Sequence, residues 1–291
     1  MDIWQHLEQQ ITRVTGNRFH IQNNQSVGGG CINPAFKVTD NGQGYFIKIN
    51  DASYAHMFEA EAEALHEMAA SKTVRVPEPV CHGEYGGQCY VVMEHLELGG
   101  SADMPGFGRQ LAEMHRVTAD RFGWHIDNTI GATPQSNTQS DDWIEFWREQ
   151  RLGFQLELAA RNGYGGELQR LGERLLADMP ALFVNHDPLP SMLHGDLWGG
   201  NYGGLRDGTP VIFDPAFYYG DREADLAMTT LFGGFGRQFY SAYNEAWPLE
   251  QGYEVRKTLY NIYHIINHLN MFGGGYHGQA KSMIERVLSE F

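Results

Sequence analysis

The chain opens on an amphipathic period. Ile3, Leu7 and Ile11 recur at helical spacing, which predicts a short helix over residues 3–14. The pattern then shortens to a strand period. Residues 35–38 and 45–49 read as strands, and the Asp40-Asn41-Gly42 segment between them is a hairpin signal, because Asn-Gly tolerates positive φ. Ahead of them, Ser26-Val27-Gly28-Gly29-Gly30-Cys31-Ile32-Asn33 reads as a glycine-rich turn between extended segments. Residues 55–70 return to helical spacing, and Pro77-Glu78-Pro79 ends that region. Residues 79–84 and 88–94, separated by Gly86-Gly87, form a second predicted hairpin. Up to residue 95 the pattern describes a small antiparallel sheet with one main helix.

From about residue 103 the period is mostly helical. Helices are predicted over 107–118, 141–162, 167–178, 239–247, 253–272 and 279–291, with a short β segment breaking the series near 194–214. The chain is therefore expected to be α+β and two-lobed, with residues 1–96 as an N-lobe, 97–102 as a hinge around Glu97-Leu98-Gly99-Gly100, and 103–291 as a larger helical C-lobe. A length of 291 residues suffices for two cores.

Composition narrows the class. Hydrophobic content of 42% with 20% charged residues is that of an ordinary globular protein. The net charge of −15 argues against nonspecific nucleic-acid binding and against docking on anionic membranes. It is compatible with a cationic substrate, but the favoured reading is an acidic surface that keeps a cytoplasmic protein soluble. Met1-Asp2-Ile3-Trp4-Gln5 has neither the basic nor the apolar part of a signal peptide, and no run is apolar enough to span a membrane. Three cysteines, Cys31, Cys81 and Cys89, show no zinc spacing and suit a reducing compartment.

Candidate chemistry concentrates in His194-Gly195-Asp196-Leu197-Trp198-Gly199-Gly200-Asn201, followed by Phe213-Asp214-Pro215 at the end of the apolar run Val211-Ile212-Phe213. An Asp, an Asn four intervening residues later and a second, strand-borne Asp suit phosphoryl transfer. One carboxylate orients the attacking hydroxyl, while an amide and the other carboxylate hold Mg²⁺ against nucleotide phosphates. The first part of the chain offers the nucleotide half. Gly28, Gly29 and Gly30 can bring bare backbone N–H groups to phosphate oxygens. Lys48 sits in an apolar strand, where alternation sets Phe46, Lys48 and Asn50 on one face and Ile47 and Ile49 on the other. Glu59, Glu61 and Glu63 could each pair with it. The stripe Phe58, Ala62, Leu65, Ala69 places Glu61 beside the inward face, where a carboxylate needs a cation to offset its desolvation, so Glu61 is favoured. Met93, Glu94, His95 and Leu96 end the small sheet and enter the hinge, an edge at which folds built on this template pair backbone with adenine.

The order of glycine-rich loop, strand Lys, helix Glu, hinge, H-G-D-x-x-x-x-N and strand Asp resembles the protein-kinase-like fold. H-G-D in place of H-R-D resembles its aminoglycoside-phosphotransferase and choline-kinase branch. Within that branch, Gly28-Gly29-Gly30-Cys31-Ile32, Phe58-Glu59-Ala60-Glu61, the 194–201 string, Asp214-Pro215-Ala216 and the 218–235 run are similar to the fructosamine kinase (ketosamine-3-kinase) family. The resemblance implies ATP- and Mg²⁺-dependent phosphorylation of O3 on a fructosamine or ribulosamine, free or on a glycated protein lysine; the adduct then releases its amine. The protein is expected to be a cytoplasmic monomer. The resemblance also implies that Asp196 orients or deprotonates the hydroxyl, that Asn201 and Asp214 hold the metal, and that Lys48, backed by Glu61, holds phosphates. It further implies that His194 and Asp225 are structural.

Trp198 could wall the sugar or pack in the core. Asp221 or Glu223 could attract a substrate ammonium or be structural. Cys31 could be redox-sensitive or incidental. Asp214 is followed so soon by Glu223, with no A-P-E signature, that no long activation loop fits between them. The rival classes are another small-molecule kinase, of aminoglycoside, choline or homoserine type, and a nucleotide-binding scaffold without turnover.

Overall fold

The computed structural model describes residues 1–28 and 33–291; the expectations for Gly29, Gly30 and Cys31 lie outside the described residues. The chain divides into two compact units. Met1–Asp103 and Tyr202–Pro215 make the first, and Met104–Asn201 and Ala216–Phe291 the second.

The first unit is built on an antiparallel sheet of β1 (Asn23–Val27), β2 (Ala35–Asp40), β3 (Gln43–Asp51), β4 (Pro79–Tyr85) and β5 (Gln88–Glu94), in the order β1-β2-β3-β5-β4. Both hairpin signals act as expected: Asn41 and Gly42 take φ of 46° and 89°, and Gly86 and Gly87 take 61° and 81°. Helix α1 (Ile3–Thr15) starts at an Asp2/Gln5 capping box and ends at Gly16 in the left-handed conformation. Its Leu7 and Ile11 join Val38, Ile47, Ile49, Tyr90 and Val92 in one buried cluster. Helix α2 (Ala55–Ala70) buries Phe58, Ala62 and Leu65, together with Ala60, Ala64 and Met68.

Residues 97–100, read as hinge, contribute a strand. Leu98–Gly100 pairs with Tyr202–Leu205, which pairs with Pro210–Ile212. A Cβ on Gly100 would lie 1.8 Å from the Leu205 carbonyl oxygen, so glycine is what permits this approach. Residues 202–215, assigned from the sequence to the second lobe, thus make their compact unit with the first 103 residues. The physical reason is this pairing, extended by the bridge of Arg75 to Val211.

The second unit is helical. Tyr253–Phe272 is its axis, with Leu259, Tyr260, Ile262, Tyr263, Ile265, Ile266 and Leu269 all buried. Met104–His115 and Arg237–Ala246 approach closely because Gly108 has no Cβ; one would lie 2.4 Å from the Phe239 carbonyl oxygen. The helix expected over 141–162 is interrupted: Trp143–Phe146 passes through a π-helical turn, Trp147–Gly153, into Phe154–Arg161. Arg151 in that turn is wholly buried, donates to Asn137 Oδ1 at 2.6 Å and lies over the Tyr218 ring at 4.1 Å. A further helix, Arg222–Thr230, was not anticipated from the periodicity. Among the described residues no helix is long and apolar enough to cross a membrane.

Candidate active site

In the first unit, β3 delivers Lys48. Ile47 and Ile49 fill the cluster beneath α1, so alternation turns Lys48 to the other face of the sheet. There its ammonium donates to Glu61 Oε1 at 2.6 Å and to Asp214 Oδ1 at 2.7 Å. The inward stripe of α2 thus selects Glu61, while Glu59 and Glu63 are exposed. Burial works to lower the pKa of Lys48, but the Asp214 and Glu61 carboxylates outweigh it and hold the ammonium charged. The contact to Asp214 spans 166 positions and was not foreseen. Asp214 takes φ of 57°, left-handed backbone that Asp tolerates better than most residues. Its side chain remains 46% exposed.

The other expected nucleotide contacts lie at the sheet's end. Gly28 follows β1 directly. Met93 is buried, and Glu94 pairs with Arg75. The His95 N–H donates to the Gly44 carbonyl at 3.4 Å, and the Leu96 carbonyl accepts from Leu98 N–H at 3.0 Å.

In the second unit, the strand Ser191–Leu193 carries the chain into the His194–Asn201 loop and pairs with Tyr218–Gly220. Asp225, from Arg222–Thr230, fastens the loop: Oδ2 accepts from His194 N–H at 2.7 Å and Oδ1 from Gly195 N–H at 2.8 Å. Burial alone would raise the Asp225 carboxyl. The His115 hydrogen bond at 3.2 Å and the neighbouring imidazoles and amides hold it below the usual range instead. Gly195 is required here. Its φ is +81°, and a Cβ would lie 1.9 Å from the Ala216 carbonyl oxygen. That carbonyl also accepts from Gln135 Nε2 at 3.1 Å, and the Phe217 carbonyl accepts from Asn128 Nδ2 at 2.8 Å. A small hairpin, Asn128–Ile130 with Thr133–Gln135, therefore grips the backbone after Pro215. No sequence signal pointed to it, although the buried amides of Asn128 and Gln135 are its mark.

Asn201 Nδ2 donates to the Asp196 carbonyl at 2.9 Å and to Asp196 Oδ2 at 3.2 Å, so these two side chains of the loop orient each other. Leu197 is buried and anchors the loop, whereas Trp198 is 37% exposed. Of the two readings open for Trp198, this exposure disfavours core packing. The suggestion that Asp221 or Glu223 attracts a substrate cation is corrected by the structure. Both are buried and committed: Asp221 accepts from His186 at 2.7 Å and Tyr260 at 2.5 Å, and Glu223 accepts from Arg256 at 2.7 and 2.9 Å.

Each unit, taken by itself, carries side chains of the kinds that phosphoryl transfer uses. A charged Lys with a Glu behind it, a strand-borne carboxylate and an Asp/Asn loop are the parts such chemistry positions. The fold agrees. The streptomycin–ATP complex of an aminoglycoside phosphotransferase, APH(2")-IIa, superposes with a TM-score of 0.66 over 98% of this chain and 95% of that one, at 15% identity.

The chain belongs to the fructosamine kinase family, whose description matches residues 3–290. A Synechocystis protein named "Probable ketoamine kinase" is 48% identical over 98% of this chain and 97% of its own. The chloroplastic protein-ribulosamine 3-kinase of Arabidopsis thaliana is 47% identical, covering 90% of this chain and 82% of its own. A crystal structure from Haemophilus somnus, provisionally named fructosamine-3-kinase, superposes with a TM-score of 0.89 at 29% identity, covering 99% of this chain and 100% of that one.

Proposed function

We propose that this protein is an ATP-dependent ketosamine kinase that phosphorylates the sugar O3 of a fructosamine or ribulosamine, free or on a glycated lysine. The observation that carries the reading is the family match over residues 3–290 combined with an intact set of Lys48, Glu61, Asp196, Asn201 and Asp214. A scaffold without turnover has no use for all five. The −15 net charge fits a cytoplasmic protein that acts as a monomer on a small amine-bearing substrate, with neither nucleic acid nor membrane as partner.

Asp196 orients the O3 hydroxyl and accepts its proton as the O3–phosphorus bond forms and the bond to the ADP oxygen breaks. A carboxylate of ordinary basicity suffices, because phosphoryl transfer runs on positioning and charge stabilisation. Lys48 holds phosphate oxygens, and Glu61 keeps it aimed. The Gly28 backbone would approach the phosphates, and the backbone from Met93 to Leu96 would take the adenine. Asn201 and Asp214 would hold Mg²⁺, and the donor chemistry fits. Turning Nδ2 of Asn201 onto Asp196 makes the amide an oxygen ligand, and Asp214 is a half-exposed carboxylate. When bound, the metal neutralises charge on the phosphates.

The test is an ATP-consumption screen over ribulose- and fructose-derived ketosamines, kanamycin and choline, with mass spectrometry of the products. Ketosamines should gain one phosphoryl group and later release free amine. Turnover of kanamycin or choline with no ketosamine turnover would overturn the reading in favour of another small-molecule kinase.

A further inference from the structure

The second unit carries a strip of aromatic rings that continues from the Asp196 loop. Trp198 lies two residues beyond Asp196, and its placement depends on Gly200, where a Cβ would lie 2.3 Å from the indole. The ring of Phe232 meets Trp198 edge-on, with centroids 6.2 Å apart. On its other side Phe232 lies 4.9 Å from His268, which lies 5.5 Å from Phe272 and 5.3 Å from Tyr276. Phe232 is 46% exposed and Phe272 58%.

Phe232 also takes φ 57° and ψ 38°, left-handed backbone that a bulky side chain rarely adopts. The turn that imposes it is firmly tied. Gly233, Gly234 and Gly236 take φ of 118°, 71° and 84°. The Tyr240 hydroxyl accepts from Phe235 N–H at 3.2 Å and donates to the Thr229 carbonyl at 3.1 Å. Core packing does not account for Phe232, since its ring is half in solvent. A strained backbone and an exposed apolar ring both oppose stability, and they coincide beside the one loop whose chemistry needs a substrate.

We propose that Phe232, flanked by Trp198 and His268, forms the subsite for the substituent on the ketosamine nitrogen and sets a preference for substrates carrying a long alkyl or aromatic amine. The inference rests on the ketosamine-kinase reading. The nitrogen sits on C1, three carbons from O3 along N–C1–C2–C3–O3, so a sugar with O3 at Asp196 projects its amine substituent a short way along the surface. Apolar ring faces take an alkyl stem by burial and a protonated amine by cation–π attraction. Burial holds His268 below its ordinary range, with its hydrogen bond to the His264 carbonyl opposing, so near neutral pH the strip presents no imidazolium to repel an ammonium.

The experiment uses three ribulosamines that differ only in the amine: methylamine, Nα-acetyl-lysine through its ε-nitrogen, and phenethylamine. Phe232→Asn removes the ring and suits the left-handed backbone, so its Tm should be unchanged or higher. Its kcat/KM should fall about three- to tenfold for the lysyl and phenethyl adducts, through KM, with the methyl adduct within about twofold. Phe232→Tyr, which keeps the ring, should restore the preference. Should Phe232→Asn not fold, Phe232→Leu carries the same comparison. An equal loss on all three substrates, or no loss on any, overturns the subsite. Absence of wild-type turnover on every ketosamine instead overturns the kinase reading and the subsite with it.

Discussion

Each unit buries a cluster of ionisable groups, and the two are finished differently. In the first, Lys48 faces both Glu61 and Asp214, and the Asp214 side chain stays 46% exposed. In the second, Glu223 is held by the Arg256 guanidinium through two hydrogen bonds, and Asp221 is held by His186 and Tyr260. Asp221, Glu223 and Arg256 are all buried. The second cluster is centred on buried ions and reaches the surface at Glu250, whose side chain is 49% exposed and pairs with His186 at 2.6 Å. The first leaves a carboxylate at the surface with a cation beside it, which is what a group needs if it is to exchange partners when a ligand arrives. Burial of charge alone does not distinguish the two clusters; what differs is the cation beside the exposed carboxylate, a buried ammonium at Asp214 and an imidazole at Glu250.

The sharpest way to test the contrast is to remove chemistry without touching structure. Asp196→Asn keeps the size of the side chain and the half-exposed setting of the loop. Turnover should fall by about 10²- to 10⁴-fold, the span typical of a lost general base. Nucleotide affinity and Tm should be nearly unchanged. A variant that keeps near-wild-type kcat at saturating substrate would remove Asp196 from the reaction.

The second cluster should respond in the opposite currency. Glu223→Ala leaves Arg256 buried without its carboxylate, which costs about 3–5 kcal/mol in comparable cases. Denaturant unfolding should show the loss, while the folded fraction at low temperature still binds ATP. If ATP affinity collapsed and stability did not, the cluster would belong with the functional groups.

The same cluster gives a pH signature. Burial tends to lower the pKa of His186, but hydrogen bonds and charge from Asp221, with Glu223 and Glu250, outweigh it and raise it to about 9. A pKa raised above the unfolded value of 6.5 stabilises the fold fully below about pH 6.5, and that stabilisation is lost as pH rises through about 9. His186→Gln should flatten the fall of unfolding free energy between those limits. An unchanged slope would place the alkaline loss elsewhere.

The same contrast explains what the sequence could show. The hairpins, α1 and the inward Glu61 were legible because side chains there follow a period that burial enforces. The Arg222–Thr230 helix was not, because Arg222, Glu223 and Asp225 are buried as partnered ions and erase the apolar stripe. Strands of three residues, such as Leu98–Gly100 and Tyr202–Leu205's partner Pro210–Ile212, are too short to show alternation. The loop residues Asp196 and Asn201 stood out by spacing, yet why Gly195 must follow His194 needed the Ala216 carbonyl, which only folding brings near. The Lys48 contact to Asp214 belongs to the same class of information.

The smallest effect expected is at Glu61, and it bears on the first cluster directly. Glu61→Gln keeps an oxygen that can accept from Lys48 Nζ, and Asp214 still faces the ammonium, so no buried charge is orphaned. Stability should therefore change by less than about 1 kcal/mol, unlike Glu223→Ala. What is lost is the charge that divides Lys48 between two carboxylates. With Glu61 neutral, Lys48 is drawn more tightly to Asp214, and both become less available to phosphates. The expected outcome is about a tenfold loss of kcat/KM for ATP, roughly 1.4 kcal/mol, with the ketosamine KM unchanged. Steady-state kinetics beside a thermal melt would measure both. A melt shifted as far as that of Glu223→Ala, with ATP kinetics intact, would make Lys48–Glu61 a structural pair and erase the distinction between the two clusters.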